Sequence, residues 1–146
     1  MRNLCGICNW IKELPDSPFL IKELTTGYAV ISKFQYYKGY TLFLSNEHVF
    51  ELHDLKPAKR SLFLEEMSKV AEAVYKATKP DKLNYELLGN SEPHLHWHII
   101  PRYKTDPKFK RPVWIIDKKI RESKKTYPTI KEIKNLKEAV QSFIKN

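Results

Sequence analysis

Three of the five histidines fall in one short run, Pro93-His94-Leu95-His96-Trp97-His98-Ile99-Ile100-Pro101. Extended backbone sends alternate side chains to opposite faces, so His94, His96 and His98 share one face and Leu95, Trp97 and Ile99 the other. A purely structural strand has no use for three imidazoles in a row, because each buried one needs a hydrogen-bond partner. Imidazoles grouped in this way have two chemical uses. They bind a transition metal as neutral ligands, or one attacks as a nucleophile while its neighbours orient it and hold an anionic substrate. Spacing alone leaves both open. The only cysteines, Cys5 and Cys8, stand in C-x-x-C spacing. In a reducing compartment that spacing favours metal or redox chemistry over a structural disulfide, and it needs further ligands to carry weight.

These side chains need a scaffold. Tyr28–Ile31 and Tyr40–Leu44 are β-prone runs, with Lys38-Gly39 between them as a turn signal. Phe63, Met67, Val70 and Val74 recur at helical spacing within a helix expected from roughly Pro57 to Thr78. Pro57 suits its first turn, and Pro80 stops it. A second pair of strands, about Leu83–Leu88 and Leu95–Ile100, is joined through Gly89-Asn90-Ser91. After Pro101 the chain becomes rich in Lys and Pro. A last helix runs from about Ile130 to Ile144, and Thr129 with Glu132 forms a capping-box pattern at its start. Strands on both sides of a helix predict an α+β domain built on an antiparallel sheet.

The chain has 146 residues, enough for one domain with a single core. Its 26 Lys and Arg against 17 Asp and Glu give a net charge of +9. That balance suits phosphate-rich partners, including nucleotides and nucleic acid, although a merely solvated surface gives the same count. Lys104, Lys108, Lys110 and Arg111 follow the histidine run directly and are the candidates for an electrostatic steering patch. No apolar run approaches the ~18 residues that span a bilayer, and the N-terminus lacks a secretory pattern. The expected compartment is the cytoplasm, with no membrane partner.

The run His94-Leu95-His96-Trp97-His98-Ile99-Ile100 resembles the signature of the histidine-triad family, alternating His with apolar residues and ending in two more. Gly89-Asn90-Ser91, Pro101-Arg102 and Lys38-Gly39-Tyr40-Thr41-Leu42 also resemble the family's flanks. The likeness spans about residues 4–103 and is nearest to bacterial members described as diadenosine polyphosphate hydrolases. It implies a histidine-triad domain over 1–103 and a basic extension over 104–146 packed on the same domain. The implied reaction is cleavage of a nucleotide phosphoanhydride or phosphoramidate bond, with a dinucleoside polyphosphate as the best single substrate. His96 would be the nucleophile that forms a nucleotidyl-histidine, His98 a phosphate holder, and His94 the residue whose carbonyl orients His96. Asn90 and Ser91 match positions that contact phosphate or leaving group. Tyr40 stands where many relatives carry a fourth histidine, and Ser32 where a ribose-binding acid is common.

A subset of the family holds structural zinc, and the matching ligands are Cys5, Cys8, His48 and His94, a closed Cys2His2 set. No organic cofactor is implied, and family members are usually homodimers joined edge to edge through their sheets. Competing functions are nucleotidyl transfer to an acceptor other than water, a non-catalytic nucleotide- or RNA-binding module, and a metal-dependent hydrolase. Nucleic acid is not the favoured partner.

Overall fold

The computed structural model describes residues 4–144. Five strands form one antiparallel sheet: β1 (Leu20–Glu23), β2 (Gly27–Ile31), β3 (Thr41–Ser45), β4 (Lys82–Glu86) and β5 (His96–Arg102). Their spatial order is β1-β2-β3-β5-β4. Helix α1 (Gly6–Glu13) covers one face of the sheet; α2 (Pro57–Thr78) and α4 (Ile130–Phe143) cover the other, and a single turn, α3 (Lys118–Arg121), lies in the stretch between β5 and α4.

The period-two pattern of the strands decides what each face meets. Ala29, Ile31, Phe43 and Ile99 point to the α2 side and join Phe63, Val70, Val74, Ile133 and Val140 in the main core. Phe43 and Phe63 stack with ring centroids 5.1 Å apart. On the other face Val30 and Leu44 pack against Ile7 and Leu14 of the N-terminal segment. The buried Glu66 carboxylate of α2 accepts from the main-chain N–H groups of Thr25 and Thr26 at 2.9 and 2.8 Å, tying that helix to the β1–β2 turn.

Helix α2 has the expected bounds. Pro57 occupies its first turn, and Lys79 takes a left-handed conformation (φ 49°) ahead of Pro80. Helix α4 opens on the expected capping box, with Thr129 and Glu132 bonding each other's backbone N–H at 3.1 and 3.0 Å. Strand limits moved more. The last pair is Lys82–Glu86 and His96–Arg102 rather than 83–88 and 95–100. Pro101 sits inside β5 because β3 stops pairing at Ile99, so that stretch of the strand has only β4 beside it. Strand β1 and helix α1 are additions to the expected elements; both are short, at four and eight residues.

The loop between β2 and β3 needs its own support. Gln35, 4% exposed, donates its amide to the carbonyls of Ser32 and Tyr40 at 3.0 and 2.9 Å, and its oxygen accepts the Gly39 N–H at 2.8 Å. Gly39 has φ +91°, and a Cβ there would come within 2.6 Å of Thr78, so only glycine closes this turn. Gln35→Ala leaves the Ser32 carbonyl and the Gly39 N–H unpaired in the interior. The expected cost is about 1–3 kcal/mol, read as a lowered urea midpoint at unchanged m-value.

Candidate functional site

The β3–β5 ladder sets Leu44 opposite His96 and Leu42 opposite His98, which puts both imidazoles on the α1 face. His94 departs from the expected pattern. It precedes β5, because the ladder ends at Leu95: Ser45 N–H still reaches the Leu95 carbonyl in register, but the Leu95 N–H turns away to the Val49 carbonyl. One strand therefore carries two of the three imidazoles, and the third is turned toward the start of α1.

Hydrogen bonds assign the tautomers. The His96 Nδ1 lies 2.5 Å from the His94 carbonyl, which can only accept, so Nδ1 carries the proton and Nε2 keeps its lone pair. The Tyr40 hydroxyl lies 2.5 Å from His98 Nδ1. Burial, and then the charge of Glu86, raise the phenol's pKa, so it stays a neutral O–H donor. His98 consequently accepts at Nδ1 and carries its own proton on Nε2. Burial, with the neighbouring His96 adding to it, pushes the His98 pKa down to about 3. The two rings lie 4.8 Å apart, centroid to centroid.

Two clefts meet at these rings. One, of ≈ 570 Å³, is lined by Ser32, Tyr40, Asn90, Ser91, His96 and His98. The residues singled out for phosphate and nucleotide contact thus border one cavity. The other, of ≈ 340 Å³, opens toward α1 and is walled by Ile7, Trp10, Phe34 and Leu44, with His96 and His98 at its floor. Ser32 lies on both, with its Oγ accepting from the Phe34 N–H at 3.2 Å. Sequence reasoning missed the far wall of the larger cleft, which comes from Val113, Trp114, Lys118, Arg121 and Glu122. No periodicity or motif marks that segment. The expected steering residues lie elsewhere: Lys104, Lys108, Lys110 and Arg111 line neither cleft. Their stretch wraps the buried Arg102 guanidinium, which donates to the carbonyls of Lys108 and Arg111 at 3.4 and 2.9 Å.

A second cluster adjoins the histidines. Cys5, Cys8, His48 and His94 bring four ligand atoms within 4.8 Å of one another. His94 Nε2 lies 2.8 Å from the Ser45 carbonyl, so it carries the proton and Nδ1 offers its lone pair to the cluster. The His48 and His94 Nδ1 atoms are 3.2 Å apart, and the Cys–His distances are 3.2 to 3.5 Å. Ideal zinc bond lengths give tetrahedral edges of about 3.3 Å between nitrogens and about 3.8 Å between sulfurs, with mixed edges between. The donor set and its spacing fit that ion. Burial lowers the His94 pKa, which favours the neutral ligand form. His53 lies apart from both clusters and is largely exposed, with Asp54 3.8 Å away.

The model of the HIT domain family matches residues 14–105, more than half of the chain. The chain belongs to the HIT family. Among solved structures, a histidine triad protein from Bradyrhizobium japonicum is 29% identical, with a TM-score of 0.75 over 86% of this chain and 90% of that one. A protein from Streptococcus mutans is 25% identical, with a TM-score of 0.63 over 98% and 87%. A zinc-bound histidine triad protein from Mycobacterium smegmatis shares the fold at 19% identity, with a TM-score of 0.65 over 97% and 96%. No curated protein matches significantly. HIT proteins bind nucleotides and are in general nucleotide hydrolases or transferases. Among the described residues, no helix is long and apolar enough to cross a membrane.

The HIT site has a measurable electrostatic property. His98 should stay neutral as pH falls from 6.5 toward about 3, while an imidazole in the unfolded chain takes up a proton. The unfolded state then binds more protons, so this group withdraws stability as pH falls through that window. Ring 15N shifts should show His98 protonated on Nε2 alone throughout; a doubly protonated ring at pH 5 would contradict the assignment.

Proposed function

We propose that this HIT protein hydrolyses a nucleotide phosphoanhydride or phosphoramidate bond through a nucleotidyl-histidine, with a dinucleoside polyphosphate as its substrate. The observation that carries the reading is the His96–His94 hydrogen bond, which holds the Nε2 lone pair toward the space where the two clefts meet. The apolar cleft beside α1 suits a nucleoside, with Trp10 and Phe34 as ring surfaces and Ser32 near the ribose. His96 Nε2 attacks the α-phosphorus; an N–P bond forms as the bond to the leaving oxygen breaks, and that oxygen keeps the electron pair. The positive charge gained by the imidazole is shared through Nδ1–H with the His94 carbonyl.

His98 Nε2–H donates to a non-bridging phosphate oxygen, and Asn90 and Ser91 hold the phosphate and leaving group. Water then attacks phosphorus, the N–P electron pair returns to Nε2, and a proton is released. Because Tyr40 and His98 form a neutral pair, stabilisation here rests on hydrogen bonds rather than on a second imidazolium. Transfer to another acceptor shares every step but the last, and product masses in the presence of candidate alcohols and amines separate the two.

Residues 1–103 form the histidine-triad domain in this reading, and 104–146 an extension upon it. Burial of Ile133 and Val140 of α4 in the main core supports that packing. The free strand edges β1 and β4 suit a homodimer joined sheet to sheet, and the protein is placed in the cytoplasm. We assign structural zinc to Cys5, Cys8, His48 and His94. Bound there, the ion supplies a cross-link between the N-terminal segment and the β5 entry, and the four side chains saturate it.

His96→Ala should lower kcat by at least about 10³-fold, as loss of a covalent nucleophile does, while leaving nucleotide affinity nearly intact. A variant retaining a tenth of the wild-type rate would show that another group attacks. Elemental analysis of untagged protein should find about one zinc per chain. The double variant Cys5→Ser, Cys8→Ser should lose the metal and melt well below wild type; metal-free wild-type protein of unchanged Tm would overturn the assignment.

A further inference from the structure

The wall of the larger cleft that lies beyond the HIT match has a chemistry of its own. Trp114 donates its indole N–H to the Glu86 carboxylate at 2.6 Å, and its ring meets His98 edge-on at 5.4 Å and 82°. Arg121 lies over that indole at 4.9 Å and donates Nε–H to the Ile116 carbonyl at 2.8 Å. The guanidinium is therefore fixed in plane and position. Among the described residues, neither of its terminal nitrogens has an acceptor. Of the acids on this cleft, Glu122 faces Lys118 at 3.7 Å, and Glu92 borders both clefts beside Gly6 at the start of α1.

Buried apolar contacts hold this wall in place. Val113 packs on Ile100, which shares a face of β5 with His96 and His98, and on Tyr37, whose hydroxyl donates to the Val113 carbonyl at 3.3 Å. Arg121 thus lines the same cleft as His96 and His98, on the wall that Val113 and Trp114 anchor.

We propose that residues 113–121 form a leaving-group subsite in which Arg121, held on Trp114, binds the phosphate that departs when His96 attacks. The inference rests on the nucleotidyl-histidine reading and narrows it. A guanidinium with its terminal N–H groups unengaged matches phosphate oxygens bidentately. An uncharged amine leaving group gains nothing from it. In-line displacement requires the leaving oxygen to lie opposite the attacking Nε2. With the nucleoside in the α1 cleft, the remaining phosphates extend toward Arg121, with Lys118 at the rim. Bond changes are those already given: Nε2–P forms, P–O breaks, and the oxygen leaves with its electron pair as a phosphate anion that Arg121 neutralises. The substrate class is a nucleotide whose leaving group is itself phosphorylated.

The test uses two adenylates with different leaving groups, diadenosine tetraphosphate and adenosine 5′-phosphoramidate, on wild type, Arg121→Ala and Arg121→Lys. The ratio of kcat/KM, tetraphosphate over phosphoramidate, should fall at least about tenfold in Arg121→Ala. Arg121→Lys should recover part of it, because charge returns without the fork. An unchanged ratio overturns the subsite, whatever happens to the two rates individually. A calorimetric titration with inorganic tripolyphosphate separates this inference from the reading beneath it. Wild type should bind, and Arg121→Ala should bind at least about tenfold more weakly. If wild type turns over neither adenylate, the triad reading fails, and the titration alone judges the subsite. Absent wild-type binding, or equal affinity in the variant, overturns it. Matching Tm values show that the variants fold, and should Arg121→Ala not fold, Arg121→Lys carries both measurements.

Discussion

One residue, His94, couples the structure's two chemical clusters through three different groups. Its main-chain carbonyl fixes the proton of His96, its Nε2–H is fixed by the Ser45 carbonyl, and its Nδ1 faces Cys5, Cys8 and His48. None of these groups moves without the other two. The nucleophile is therefore oriented by a carbonyl whose own position depends on a ligand cluster and on the end of β3. This arrangement gives the N-terminal segment a role in the site although it supplies no reacting atom. A buried imidazole is tolerable only because both of its nitrogens have partners.

The electrostatics of the cavity follow from burial. Tyr40 and His98 satisfy each other as neutral groups, and low local polarity raises the phenol's pKa and lowers that of the imidazole. Fixed dipoles, directed by the sheet register and by the Gln35-braced turn, replace a second charge near the phosphate. The cations of this cleft lie on the opposite wall, Arg121 on Trp114 and Lys118 facing Glu122. The large formal charge of the chain is thus a poor guide to where cations matter, since the basic stretch nearest to β5 spends its backbone on solvating Arg102.

The segment after β5 ties the two faces of the sheet together. Arg102 is buried at the end of β5 and bonded to Asp106, Asn84 and two carbonyls of the following loop. That knot reverses the chain and delivers Val113 and Trp114 to the triad face. Helix α4 then crosses to the other side of the sheet, where Val140 and Ile133 complete the main core. One segment after β5 serves both layers, which binds the cavity wall to global stability.

The sequence by itself determined the elements whose signals are local. Helix α2 has an apolar repeat with a proline at each end, α4 carries its capping box, and β5 alternates histidine with bulky apolar residues. The pairing of Cys5 and Cys8 with His48 and His94 was legible too, through family resemblance, as was the order of the triad. Local signals could not reveal that β5 begins only after His94, because the turn of the Leu95 N–H from β3 to the Val49 carbonyl decides it. Nor did they mark β1 and α1, which are four and eight residues long and are held by contacts with β2 and β3. Only the tertiary structure brought Trp114 and Arg121 to His98. Their placement follows from the burial of Arg102 and Val113, and long-range packing of that kind leaves no periodic trace along the chain.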